Sequence, residues 1–169
     1  GFALSFIREN KDKPFFLYLP YTVPHSRFEI PDLGPYEKKE WPEKSKVYAA
    51  MITRMDAHIG YIMKLLKELK IDEKTIVFFC SDNGAANRYE GLFDSSGPLR
   101  GRKRDMYEGG LRTPMIVRWP NRVPSNQTSE ALWSFTDFLP TAADLANIKP
   151  PEQLDGISVL PTLLGQKQA

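Results

Sequence analysis

The chain has 169 residues, with a hydrophobic fraction of 41% and an aromatic fraction of 12%. That is enough for one domain with a real core, and it is not the composition of a disordered segment. A formal net charge of +2 and a pI near 8.6 are too mild to point to nucleic acid, no apolar run approaches membrane-spanning length, and the single cysteine excludes an internal disulfide.

The first residues, Gly1-Phe2-Ala3-Leu4-Ser5-Phe6-Ile7-Arg8, read as a helix already under way. They carry neither an initiator methionine nor the pattern of a signal peptide, so a fragment boundary is expected there. Phe15-Phe16-Leu17-Tyr18-Leu19 is the first of three short apolar runs; the others are Thr75–Cys80 and Pro114–Trp119. None alternates strongly, which predicts buried strands in a sheet covered on both faces. Pro20, Pro24, Pro31, Pro35 and Pro42 forbid a long helix after the first run and predict an extended loop.

A helix is predicted over Ser45–Lys70. Val47, Met51, Met55, Ile59, Ile62, Leu66 and Leu69 recur at spacings of three and four and make one apolar stripe. His58 falls inside that stripe and reads as a buried structural histidine. Strand, long helix, strand is a crossover unit, so the predicted fold class is α/β, a mostly parallel sheet flanked by helices. A second long loop, Gly84 to Gly110, follows the Thr75–Cys80 strand. Both loops leave the carboxyl ends of strands, the edge where open α/β sheets hold ligands. A further helix is predicted over Phe135–Ala146, and Asp155-Gly156 marks a turn before the closing segment.

Four residues carry candidate chemistry. Asp82 and Asn83, at the end of a rigid strand, offer a carboxylate and an amide oxygen to a hard divalent cation; the same Asp-Asn-Gly sequence also suits a simple turn. Lys103, in Leu99-Arg100-Gly101-Arg102-Lys103, brings a point charge that can stabilise a bound anion, or is an ordinary surface lysine. His25, on the proline-rich loop, can give a proton to a leaving oxygen, or is a surface histidine. Arg100, Arg102, Lys103 and Arg104 concentrate positive charge on one loop. Cys80 ends an apolar strand without an adjacent base and reads as an inert buried thiol. Glu90, Phe93 and Asp94 are candidate substrate contacts by position, Tyr107-Glu108-Gly109-Gly110 reads as a structural turn, and Asn126-Gln127-Thr128 matches a glycosylation acceptor.

The order of these landmarks resembles the sulfatase family of the alkaline-phosphatase-like superfamily over nearly the whole chain. The matching segments are Lys13–Leu19, Pro24-His25, Met55–Gly60, Ser81–Gly84, Leu99–Lys103, Tyr107–Pro114, Asp137–Thr141 and Asp155–Ser158. The resemblance implies that Asp82 and Asn83 bind the active-site cation, calcium first and magnesium second. It implies that Lys103 holds the sulfate group and that His25 contacts the sulfate and helps the leaving oxygen depart. The substrate would be a sulfate ester, an aryl sulfate or a sulfated sugar, and the location periplasmic or extracellular. The family's Cys- or Ser-x-Pro-x-Arg motif, whose first residue becomes formylglycine, does not occur in this sequence. The chain is therefore expected to be the C-terminal portion of a sulfatase catalytic domain, residues 1–169, inactive alone. A phosphatase or phosphonate hydrolase of the same superfamily, and a non-catalytic module for sulfated polysaccharide, are the competing readings.

Overall fold

The computed structural model describes residues 1–25, 27–86 and 92–168. In chain order these form helix α1 (Phe2–Asn10), a 3-10 turn (Gly34–Tyr36), the long helix α2 (Glu43–Glu68) and a second 3-10 turn (Asp72–Lys74). Strand β1 (Val77–Cys80), the one-turn helix α3 (Glu108–Leu111) and strand β2 (Met115–Arg118) follow. A third 3-10 turn (Phe135–Asp137) runs directly into α4 (Phe138–Leu145), and α5 (Leu160–Leu163) closes the chain. Two compact units result: Gly1–Asp72 with Cys80–Met115, and Glu73–Phe79 with Ile116–Ala169.

In the first unit α1 packs against α2. Helix α2 starts immediately after Pro42, whose extended backbone and missing amide suit a helix entry, with Glu43 in the first turn and Lys67 in the last, each at the favourable end of the helix dipole. It ends in a Schellman motif: Lys70 adopts φ +58°, its amide donates to Lys67 O, and the Ile71 amide donates to Leu66 O, both at 3.0 Å. The apolar stripe is real, but deep burial is confined to the two ends of the helix, at Ser45, Ala49, Ala50 and Met51 and at Leu65 and Leu66. His58 lies between them and is exposed, with its ring near Tyr21 and Tyr61. It is not the buried histidine expected, because periodicity defines a helix face but not what covers it.

The proline-rich loop is anchored by rings. Tyr36 stacks on Trp41, Trp41 meets the edge of Phe93 at 5.6 Å, and Phe93 and Phe28 each lie near Tyr48 of α2. Phe15–Leu19 runs extended but enters no ladder among the described residues. Phe16 and Tyr18 are more than 70% exposed, so the fully buried strand expected there is not found.

Most of β1 and β2 belongs to the second unit, where the two strands pair antiparallel in a two-stranded sheet. The Trp119 indole donates to Glu73 O at 3.0 Å, which places the end of β2 beside the approach to β1. Neither strand is covered on both faces, since each is mainly half-buried; the parallel pair expected from the crossover pattern is not present among the described residues. Phe78 of β1 stacks on Trp133 and meets the edge of Phe138.

Two sequence landmarks far apart in the chain prove to be one hydrogen-bonded knot. The carboxylate of the buried Asp137 accepts the Ser134 amide at 2.7 Å and the Ile157 amide at 2.9 Å. The fully buried Thr141 hydroxyl donates to Asp137 O at 2.6 Å and accepts the Val159 amide at 3.0 Å. Gly156 is needed between them, since a Cβ there would lie 2.2 Å from Thr136 O. Thr141→Val keeps the shape but leaves the Val159 amide and the Asp137 carbonyl short of a partner, at a cost of about 1–3 kcal/mol. The expected readouts are a lower urea midpoint and exchange of the Val159 amide faster by about tenfold or more; unchanged exchange at Val159 would show that the bond contributes nothing.

Candidate active site

Asp82, Asn83, Lys103 and His25 all lie in the first unit. Strand β1 delivers the first two: the chain leaves the ladder at Cys80 and turns through Ser81-Asp82-Asn83-Gly84. The Asp82 carboxylate is exposed, and the Ser81 hydroxyl reaches it at 3.4 Å. Asn83 is half-buried and its Oδ1 is wholly shielded from solvent, yet it has no hydrogen-bond partner among the described residues. Thr113 Oγ1 is the other such oxygen. A simple Asp-Asn-Gly turn would use the asparagine side chain on the backbone; here that oxygen is left over, at an unmade-bond cost of about 1–3 kcal/mol.

The neighbouring loop is stitched to this turn by backbone bonds. Gly84 donates to Gly110 O at 2.9 Å, Lys103 donates to Ala85 O at 2.8 Å, and Gly109 donates to Arg100 O at 2.8 Å. The approach is so close that a Cβ on Gly84 would lie 2.1 Å from Gly109 O, and one on Gly110 would lie 2.1 Å from Asp105 O. Tyr107–Gly110, expected as a structural turn, is the cap and start of the one-turn helix α3, whose two glycines let the Ser81–Gly84 turn and the lysine loop touch. Lys103 is half-buried, and the next residue, Arg104, holds a left-handed backbone at φ +84° without being glycine.

The basic cluster divides by function. Arg100 is committed to Tyr107: its guanidinium lies 3.8 Å from the ring centre and donates to the phenol oxygen at 2.8 Å. Arg112 is paired with Glu108. The side chains of Arg102, Lys103 and Arg104 have no partner among the described residues, which leaves three cationic groups in succession for an anion. Arg102 and Asp105 close a small turn: the Arg102 amide donates to the Asp105 carboxylate at 3.0 Å, and the Asp105 amide donates to Arg102 O at 2.8 Å. The sequence reading missed Asp105; its only signal was the three-residue spacing from Arg102.

His25 comes from the separate proline-rich loop, where it is exposed and its amide donates to Thr22 O at 2.9 Å. Glu90 lies outside the described residues. Cys80 is exposed, not buried as expected. Partial desolvation first, and the Asp82 carboxylate second, raise its pKa, so at neutral pH it stays a thiol and a poor nucleophile.

The donor set fits a hard divalent cation in part. Asp82 and the orphaned Asn83 oxygen are the right ligand atoms, but calcium takes about six to eight oxygens. Among the described residues no three His, Cys, Asp or Glu side chains gather as a metal shell.

A family model described as Sulfatase matches residues 2–148. N-acetylgalactosamine-6-sulfatase of Canis lupus familiaris is 36% identical over 170 residues, covering 96% of this chain and 31% of its own length. Steryl-sulfatase of Homo sapiens is 34% identical, covering 98% of this chain and 29% of its own length. Among solved structures, Ps i-CgsB in complex with k-i-k-neocarrahexaose superimposes with a TM-score of 0.84 at 33% identity, over 96% of this chain and 37% of that one. The chain thus spans about a third of the proteins it matches, and their architecture is the alkaline-phosphatase-like fold. With a family model matched over most of its length, the chain belongs to the sulfatase family.

Proposed function

We propose that the chain is the C-terminal portion of a catalytic domain that hydrolyses sulfate esters, and that its own share of the work is to hold the sulfate group and part of the cation shell. The observation that carries this reading is the buried Asn83 Oδ1, without a partner among the described residues, on a turn stitched to the Lys103 loop. An oxygen acceptor without a donor, on a turn bonded to a loop whose three successive cations have no partner among the described residues, suits a metal and an anion held next to each other. The cation, calcium first and magnesium second, would be bound by Asp82 and Asn83 and would supply Lewis-acid stabilisation of charge on the ester oxygens. The substrate is a sulfate ester of an aryl or sugar alcohol.

In that reading the Lys103 ammonium donates to a non-bridging sulfuryl oxygen and stabilises the charge that grows there. His25, as the imidazolium, gives its proton to the bridging oxygen while the S–O bond breaks and that oxygen takes the electron pair. The nucleophile, formylglycine by resemblance, and the remaining cation ligands belong to residues outside this chain. In the whole domain Phe15–Leu19 joins a larger, mostly parallel sheet; the exposure of Phe16 and Tyr18 supports this. No helix among the described residues is long and apolar enough to cross a membrane, and a periplasmic or extracellular location is part of the proposal.

The whole enzyme is expected to release sulfate from sulfate esters, to lose activity to chelator and to regain it with calcium, while the purified 169-residue chain turns over nothing. Lys103→Ala is expected to lower kcat by about 10²–10³-fold, and His25→Ala by about 10²-fold or more; full activity in Lys103→Ala would remove the lysine from the mechanism. Calcium is expected to raise the melting temperature of the whole enzyme by mass action. That rise is expected to shrink in Asn83→Ala, and also in Gly84→Ala, where the added methyl would push the cation turn off Gly109. An unchanged calcium response in both variants would exclude this turn as a cation site.

A further inference from the structure

From Arg100 to Gly109 the chain folds back on itself, with Lys103 inside the bend. The Gly109 amide donates to Arg100 O at 2.8 Å, so the two ends of the bend meet through main chain. Side chains make a second link. The Arg100 guanidinium lies 3.8 Å from the Tyr107 ring centre and donates to its phenol oxygen at 2.8 Å. Tyr107 also packs on the turn at Gly101, where φ is +87° and a Cβ would lie 2.9 Å from Tyr107 Cβ.

The Arg100–Tyr107 pair lies at the surface, with Tyr107 46% exposed. A cation–ring contact in water adds little to global stability. Its effect is local: joining two points of a chain removes conformational freedom from the residues between them. Lys103 is one of those residues. Its ammonium sits on a flexible four-carbon stem, so the main chain beneath it has to be fixed before the charge can meet a chosen oxygen. The Lys103 amide bond to Ala85 O fixes one point of the bend, and the Arg100–Tyr107 link closes it.

We propose that Arg100 and Tyr107 are positioning residues, a latch that closes the bend and so holds Lys103 where it meets the sulfuryl group; the proposal rests on the sulfatase reading above. Arg100 is then set apart from the cations at 102, 103 and 104. It spends its charge on a ring of its own loop and acts on the anion only through Lys103. With the latch open the bend samples other conformations, and the fraction of enzyme with the lysine in place falls. That loss cannot exceed the bias the latch supplies, so it is smaller than the loss on removing the lysine itself.

The test is a mutant cycle on the whole enzyme, with rates measured on 4-nitrophenyl sulfate and on galactose 6-sulfate. Arg100→Met and Tyr107→Leu are each made in the wild-type protein and in Lys103→Ala. Both side chains are exposed, so each variant is expected to keep its melting temperature within about 2 °C. In the wild-type protein each is expected to lower kcat/KM by about fivefold or more, and the two together by no more than either alone. In Lys103→Ala each is expected to change the residual rate less than about twofold, because the group it positions is gone. Loss by the same factor in both backgrounds would mark a merely structural role or a direct contact with the anion, and would overturn the proposal. So would an unchanged rate in the wild-type protein; in both cases the sulfatase reading would stand. A wild-type enzyme that hydrolyses neither ester overturns that reading and the latch with it.

Discussion

The juncture between the Asp82-Asn83 turn and the Lys103 loop depends on one backbone contact, the 2.9 Å hydrogen bond from the Gly84 amide to the Gly110 carbonyl. It joins the end of a strand to a one-turn helix at a separation no side chain could fit. The contact orients Asn83 on one side and, through the Ala85–Lys103 bond, the lysine on the other. Charge alone would not hold the Asn83 and Lys103 segments together, since an amide and an ammonium on independent loops would be solvated and screened. Main-chain bonds between short segments give them fixed spacing without using the functional groups themselves. That arrangement explains why Asn83 Oδ1 is left without a donor among the described residues: the turn is held from behind.

The second unit shows the same strategy in a different place. Asp137 and Thr141 are buried polar groups in a region with a small hydrophobic core; each bonds one backbone group nearby in sequence, the Ser134 amide and the Asp137 carbonyl, and one amide from the segment after Gly156, that of Ile157 and of Val159. A polar knot of this kind specifies one register for the chain's closing segment, whereas apolar contacts at the same positions would tolerate sliding.

Much of this was legible in the sequence, and the failures have physical reasons. The three- and four-residue spacing over Ser45–Lys70 gave a helix two residues out of register at each end, because Pro42 and Lys70 set its limits more strongly than periodicity does. The runs around Val77–Cys80 and Met115–Arg118 are strands, shorter than their apolar stretches. Their antiparallel pairing was not legible, since apolar content reports burial and not direction. Phe15–Leu19 has a strand's composition without a ladder among the described residues, and His58 has a core position without a cover. For the site, residue types pointed to Asp82, Asn83, Lys103 and His25, but the role of the Gly109-Gly110 pair required knowing what lies against it. Asp105 was invisible because its partner is a backbone amide.

The backbone at Arg104, φ +84°, has a consequence of its own. Glycine would occupy that conformation without penalty, whereas an arginine there carries a cost of about 1–3 kcal/mol. A loop that already spends a glycine at position 101 to turn at φ +87° had the easier residue within its means. That local cost is offset by the main-chain bonds on either side of it, from the Lys103 amide to Ala85 O at 2.8 Å and from the Asp105 amide to Arg102 O at 2.8 Å, so the loop's course is fixed by its neighbours and not by the preference of the residue at the bend.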